Sequence, residues 1–180
     1  MWKKILGGLA AVLVVLAIVV QMQPADFRVV RSASIAVPAA DVFALINDFH
    51  KWDGWSPWAK IDPNMKSTFS GPPSGAGSVY EWVGNSQAGE GRMTILESKP
   101  VEKLVIKLDF IKPFEDTSNV EFLLREEGGK VNVDWVMTGK NNFISKAFCL
   151  VMGPMDKMIG PDFEKGLAQL KSLAEAAPKK

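Results

Sequence analysis

The chain changes its hydrophobic pattern once, near residue 24. From Ile5 to Val20 no charged or polar side chain interrupts the run, which follows Lys3-Lys4 and ends in Gln21-Met22-Gln23 before Pro24. At 1.5 Å per residue, a helix of about 18 to 20 residues just spans the bilayer hydrocarbon. Residues 1–24 are therefore expected to form a membrane anchor, with one globular domain over 25–180. A cleaved signal peptide is the competing reading. It has a shorter apolar region and a small-x-small site, which Val20-Gln21-Met22 does not supply, although Pro24-Ala25 lies nearby. Lys3, Lys4 and the terminal amine favour a cytoplasmic N-terminus and an extracytoplasmic, periplasmic domain. Arg28 and Arg31, soon after the other end, weigh against that orientation.

Beyond Phe27 the period shortens to that of strands. Phe27–Val37 alternates loosely and ends at Pro38; Ala39–Ile46 then carries Val42, Phe43 and Ile46 at helical spacing. Asn47–Trp58 is a compact Trp-rich segment stopped at Pro57. Six short β runs follow: 67–70, 78–83, 91–98, 103–111, 118–125 and 131–138. Turn signals such as Gly71-Pro72-Pro73, Gly84-Asn85, Lys99-Pro100 and Glu127-Gly128-Gly129 separate them. Residues 141–159 read as an irregular apolar helix broken near Gly153-Pro154. Pro161 then suits the first turn of a last helix, with Phe163, Leu167, Leu170, Leu173 and Ala174 as its apolar stripe. Strands in series with short turns form an antiparallel sheet, and the long helix must cover its apolar face. The expected class is α+β.

Composition narrows the chemistry. A net charge of +1 with interspersed signs implies no polyanionic partner, and no basic run points to nucleic acid. Cys149 is the only cysteine, which excludes a disulfide framework. Its neighbours Phe148 and Leu150 suggest a buried, inert thiol. His50 is the only histidine, so neither a metal site of usual ligands nor a cofactor is expected. A triad would have to recruit this one imidazole, which lies beside Lys51 where an exposed or capping role is expected. Gly71, Gly75 and Gly77 lack the Lys-Ser/Thr of a phosphate loop and lead into a strand. Tyr80, Glu90, Arg92 and Asp134 could orient a ligand or move protons, but solvated strand faces explain most such residues.

Several local words carry a resemblance. Arg31-Ser32, Ile35 and Pro38 open the domain, and Asp48 precedes Trp52-Asp53-Gly54-Trp55-Ser56-Pro57-Trp58. Further on stand Gly75-Ala76-Gly77-Ser78-Val79-Tyr80-Glu81-Trp82, Gly89-Glu90-Gly91 and Asp162-Phe163-Glu164-Lys165-Gly166-Leu167. With the element order βααββββββα, the chain resembles the START, polyketide-cyclase and birch-pollen-allergen (SRPBCC) superfamily. The likeness is strongest to its bacterial polyketide-cyclase-like branch, often carried behind an N-terminal membrane segment. The resemblance implies a helix-grip fold: a curved antiparallel sheet of about seven strands around the C-terminal helix, enclosing an apolar cavity.

Strand parity supplies a candidate lining. Tyr80 and Trp82, Met93 and Ile95, Leu108 and Phe110, and Trp135 and Met137 each share a face. The candidate ligand-binding residues are Trp55, Tyr80, Trp82, Met93, Phe110, Trp135, Met137, Phe163 and Leu167. Such aromatic and Met-rich walls suit a flexible apolar ligand, although the same residues could simply fill a core. Trp52, Trp55 and Trp58 are read foremost as a staple on the sheet edge, with a cavity mouth or an interfacial anchor as the functional alternative. Met152, Met155 and Met158 are read foremost as core, with a mobile lid or a membrane-facing patch as the alternative. No residue is assigned as catalytic. The expected function is membrane-tethered binding or carriage of a lipid-like or other apolar small molecule. Alternatives are a cyclase or dehydratase using cavity acids and Tyr80, and a co-chaperone-like protein-interaction module. The sequence does not specify an oligomeric state.

Overall fold

The computed structural model describes residues 2–177. Met1 of the expected anchor and residues 178–180 of the expected domain lie outside the described residues.

Helix α1, Trp2–Gln21, is exposed along its whole length except at Val20. Its 20 residues span about 30 Å, long and apolar enough to cross a bilayer. Strand β1, Asp26–Ile35, leads to α2, Ala39–Ile46, and then to a 3-10 helix, Phe49–Gly54. Six strands follow: β2 Lys66–Ser70, β3 Val79–Val83, β4 Glu90–Lys99, β5 Lys103–Lys112, β6 Asp116–Glu127 and β7 Lys130–Lys140. Helices α3, Phe143–Met152, and α4, Met155–Ala176, complete the described chain. Among the described residues the strands form one antiparallel sheet in the order β1-β7-β6-β5-β4-β3-β2. Every link from β2 to β7 joins spatial neighbours, as short turns require, while β1 pairs with β7 on the far side. The class is α+β and the arrangement is a helix grip, with α4 laid across the sheet.

The core explains this arrangement. Val29, Ile95, Leu104, Ile106, Phe122, Val133 and Trp135 project from one face of the sheet and are almost fully buried. Phe163, Leu167, Leu170 and Ala174 meet them from α4, while Val42, Phe43 and Ile46 close one end from α2. Two glycines let α4 approach. A side chain at Gly160 would collide with the Arg31 guanidinium, and one at Gly166 with the edge of the Trp135 ring. Arg31 then clamps the helix, donating to Asp156 at 2.7 Å and to Glu164 at 2.6 Å.

Four local expectations are corrected. Helix α4 starts at Met155 and not at Pro161, which lies inside it. Gly153, at φ 97°, and extended Pro154 break the chain before Met155. Met155 and Ile159 then extend the Phe163–Leu167 stripe backwards at four-residue steps, and this packing outweighs the backbone bond that Pro161 cannot donate. Leu173 falls off the stripe and stays partly exposed. The segment 141–159 is two helices, and α3 does not join the core: Phe143, Ile144, Phe148, Leu150, Val151 and Met152 are all exposed. Cys149 is accordingly half-buried and not enclosed, while Met155 and Met158 are half-buried.

Candidate functional site

A cavity of about 690 Å³ lies between the sheet, α4 and the segment that follows the 3-10 helix. Its position follows from where the core stops. Near Ile35, Leu104 and Leu124 the space over the sheet is filled by α2 and the later turns of α4. Toward the other end of the strands the 3-10 helix, the loop 55–65 and Ile159 and Asp162 of α4 stand over the same face and leave a space.

The floor is built by strand alternation. Tyr80 and Trp82 of β3, Met93 of β4, Phe110 of β5, and Trp135 and Met137 of β7 all line the cavity. Trp82 lies flat across the start of β4 because Gly91 has no side chain; a Cβ there would overlap the indole and the Asp109 carbonyl. The Trp82 indole N–H donates to the Ala88 carbonyl at 3.0 Å, and its ring stacks on Tyr80 with centroids 5.8 Å apart. The Tyr80 hydroxyl is 3.2 Å from that of Ser67.

Trp55, Phe163 and Leu167 do not line the cavity, contrary to expectation. They form the packed wall behind it: Phe163 stacks on Trp135 at 4.1 Å, and Trp55 meets the same ring edge-on at 5.5 Å. The cavity is displaced along the sheet, so only Ile159 and Asp162 reach it from α4. Other walls lie outside the nine candidate residues. Trp52 and Trp58 flank buried Trp55 and face the space, as do Leu108 and Val120 on the floor and Ile61 and Met65 in the loop. Leu108 shares its face with Phe110, as the alternation of β5 predicts. The loop has no period to read. Asp62 fixes that loop: its buried carboxylate accepts from the backbone N–H groups of Asn64 at 2.9 Å and Asn85 at 2.7 Å.

Polar groups gather at the rim. His50 stacks on Phe69 at 4.2 Å, and its Nδ1 lies 2.9 Å from an Asp48 carboxylate oxygen that also accepts the His50 backbone N–H. The backbone bond makes Asp48 the cap of the 3-10 helix, and half of the His50 side chain is exposed. Three carboxyls outside the cavity lining have lowered pKa values. Lys99 and Lys103 lower the Glu97 carboxyl, and Arg31 lowers that of Asp156. At Asp109 burial acts upward but is outweighed by the Thr117 hydroxyl and Lys107, so this carboxyl is also lowered. These shifts mark ion pairs that hold strands and helices together. Among the described residues no cluster of three His, Cys, Asp or Glu side chains is arranged to hold a metal.

What the arrangement offers chemically is a partly open hollow with aromatic and thioether walls and a polar rim, a form suited to burying an apolar molecule and orienting its polar end. Solved structures share this frame. Protein MLL2253 from Mesorhizobium loti matches with a TM-score of 0.62 at 15% identity, covering 85% of this chain and 100% of its own. The di-domain ARO/CYC BexL from the BE-7585A biosynthetic pathway matches with 0.60 at 17% identity, over 89% of this chain and 53% of its own. Ara h 8.0201 matches with 0.53 at 13% identity, over 83% and 95%. At these identities the likeness shows the fold alone. No curated protein sequence matches the chain. The family model described as polyketide cyclase / dehydrase and lipid transport matches residues 26–175, from β1 into the last turn of α4. The chain belongs to that family, and its fold is the helix grip that those solved structures share.

Proposed function

We propose that this protein is a membrane-tethered binder or carrier of a lipid-like or other apolar small molecule, held in the cavity over β3–β7. The observation that carries the reading is the cavity itself: its size suits a flexible apolar ligand, and aromatic and Met side chains dominate its walls. Tyr80, Trp82, Met93, Phe110, Trp135 and Met137 would contact the ligand, together with Trp52 and Trp58. Helix α1 would span the membrane with its N-terminus in the cytoplasm, leaving the domain on the extracytoplasmic side. Family membership supports an apolar ligand, since the family is described by cyclase, dehydrase and lipid-transport activities. Full chain purified in mild detergent should carry a copurifying lipid or other apolar molecule, detected by mass spectrometry of an organic extract. An extract indistinguishable from that of detergent-matched empty membranes would count against this reading.

A second reading rests on one contact. Asp48 holds the His50 ring at the cavity rim, the pairing a general base needs. A cyclase or dehydratase of this design would lose turnover of a β-keto thioester when His50 is replaced by Ala, with ligand binding kept. In a binder, His50→Ala leaves both the cellular phenotype and ligand capture intact.

A further inference from the structure

Strand direction gives the domain two chemically different ends. Asp26 pairs with Lys140, Gly139 with Ser118, Asp116 with Phe110, Lys112 with Glu90 and Glu90 with Val83. One end of the sheet therefore receives α1, releases β7 into α3 and carries the β3–β4 and β5–β6 turns. There the strand ends expose Val83 and Ile111 and the β5–β6 turn exposes Phe114, beside the charged Lys112 and Glu115. At the opposite end the turns carry Glu127 and Lys130, and Lys99, Glu102 and Lys103 around Val101.

Helix α3 adds most to the apolar end. Six large apolar side chains of its ten residues face outward, with Val151 82% exposed. Leaving that much contiguous apolar surface in water is costly, and patches of this kind mark interaction sites. Only Lys146 turns inward. It is buried, and its ammonium donates at 3.1 Å to the carbonyl of Gln21, the last residue of α1. That carbonyl has no partner within its own helix, and the cation sits at the negative end of the α1 dipole. One charged hydrogen bond thus holds α3 against the point where α1 ends.

We propose that α3 lies in the lipid interface of the leaflet from which α1 emerges, seating the apolar end of the domain on the membrane. The inference rests on α1 spanning that membrane. A lipid surface is the occupant that fits, because an anchor of this length brings one to the base of α3. No acidic residue occurs between Asp134 and Asp156, whereas Lys140 and Lys157 flank the helix, the charge pattern of an interfacial segment beside phosphate head groups. The cavity lies in the same half of the domain, since Met137, Phe110 and Trp82 line it near the ends of their strands. A ligand drawn from the bilayer would then have a short path to it.

The test uses the full chain with Cys149→Ser, reconstituted into phosphatidylcholine–phosphatidylglycerol vesicles that contain nitroxide-labelled lipid. Single cysteines at Val151, Leu13 and Val101, labelled with a nitrobenzoxadiazole dye, report on α3, α1 and the far end. Val151→Cys and Val101→Cys replace exposed side chains, and Ile144→Cys provides a second site on α3. The proposal expects blue-shifted emission at positions 151 and 144, mostly quenched by the lipid nitroxide, with position 101 unquenched. Quenching at 13 without quenching at 151 and 144 overturns the seating of α3 and leaves the anchor standing. No quenching at 13 overturns the anchor itself. A blue shift at 151 without lipid quenching means that protein covers α3, and also overturns the proposal.

Discussion

Trp135 is the side chain on which wall and floor meet. Its ring is stacked between Phe163 and Phe122, touched edge-on by Trp55 and Trp58, and 2% exposed, and its indole N–H has no acceptor among the described residues. Truncation and conservative replacement should therefore diverge. Trp135→Ala is expected to lose about 3 to 5 kcal/mol in urea unfolding, the usual range for a buried aromatic. Trp135→Phe should lose far less, because it keeps the stack and removes a buried donor whose isolation costs about 1 to 3 kcal/mol. Equal losses would mean that the N–H is satisfied after all. Gly166→Ala tests the same contact from α4: its Cβ would lie 2.7 Å from the Trp135 ring and 3.0 Å from Pro57. A loss of about 1 to 3 kcal/mol by overpacking is expected. Alternation placed Trp135, Met137, Tyr80, Trp82, Met93 and Phe110 on the correct face because a strand offers only two. It could not distinguish wall from void on that face, so Phe163, Leu167 and Trp55 were assigned to a cavity they stand behind. That distinction depends on where the opposing layer ends.

Among the elements, α4 depends on an ion pair as well as on its stripe. Arg31 lowers the Asp156 carboxyl below the ordinary Asp value of about 3.9. A lowered folded-state value gives stability that is present above the unfolded value and lost only as pH falls through the lowered one. Arg31→Met should therefore destabilise the protein by the same amount at pH 6 and pH 8. The gap to the parent should close only below the usual carboxylate range (~4), as urea midpoints measured across pH would show. A gap that closed near neutrality would assign the effect to another group. The sequence located the break at Gly153-Pro154 but read Pro161 as a helix start. Proline's fit to a first turn is a local rule, whereas the Met155–Ile159–Phe163–Leu167 stripe is a tertiary one, and packing prevailed. Helix α3 was misread for a related reason. Apolar residues without a clear period look like core, and only the path of the chain past α1 shows that no protein covers them.

On the scale of the molecule, element order and class were legible because short turns leave a seven-strand series little choice but an antiparallel sheet. The cavity was legible only through the family resemblance, since a filled core and an open one share the same pattern. The proposed topology has its own check: an alkaline phosphatase fused after residue 180 should be active, as the enzyme requires an extracytoplasmic location. Activity of a cytoplasm-only reporter at that site would reverse the orientation. The central claim, that the space over β3–β7 receives an apolar ligand, is tested most directly by titrating the full chain in detergent with cis-parinaric acid and following energy transfer from tryptophan. Leu108→Trp, placed on the cavity floor, takes up part of the space with a larger and mostly apolar ring. The account predicts saturable binding to the parent and at least about tenfold weaker binding to the variant, a difference of about 1.4 kcal/mol, with its unfolding midpoint retained. Absence of saturable binding to the parent, or equal affinity in a folded variant, would contradict it.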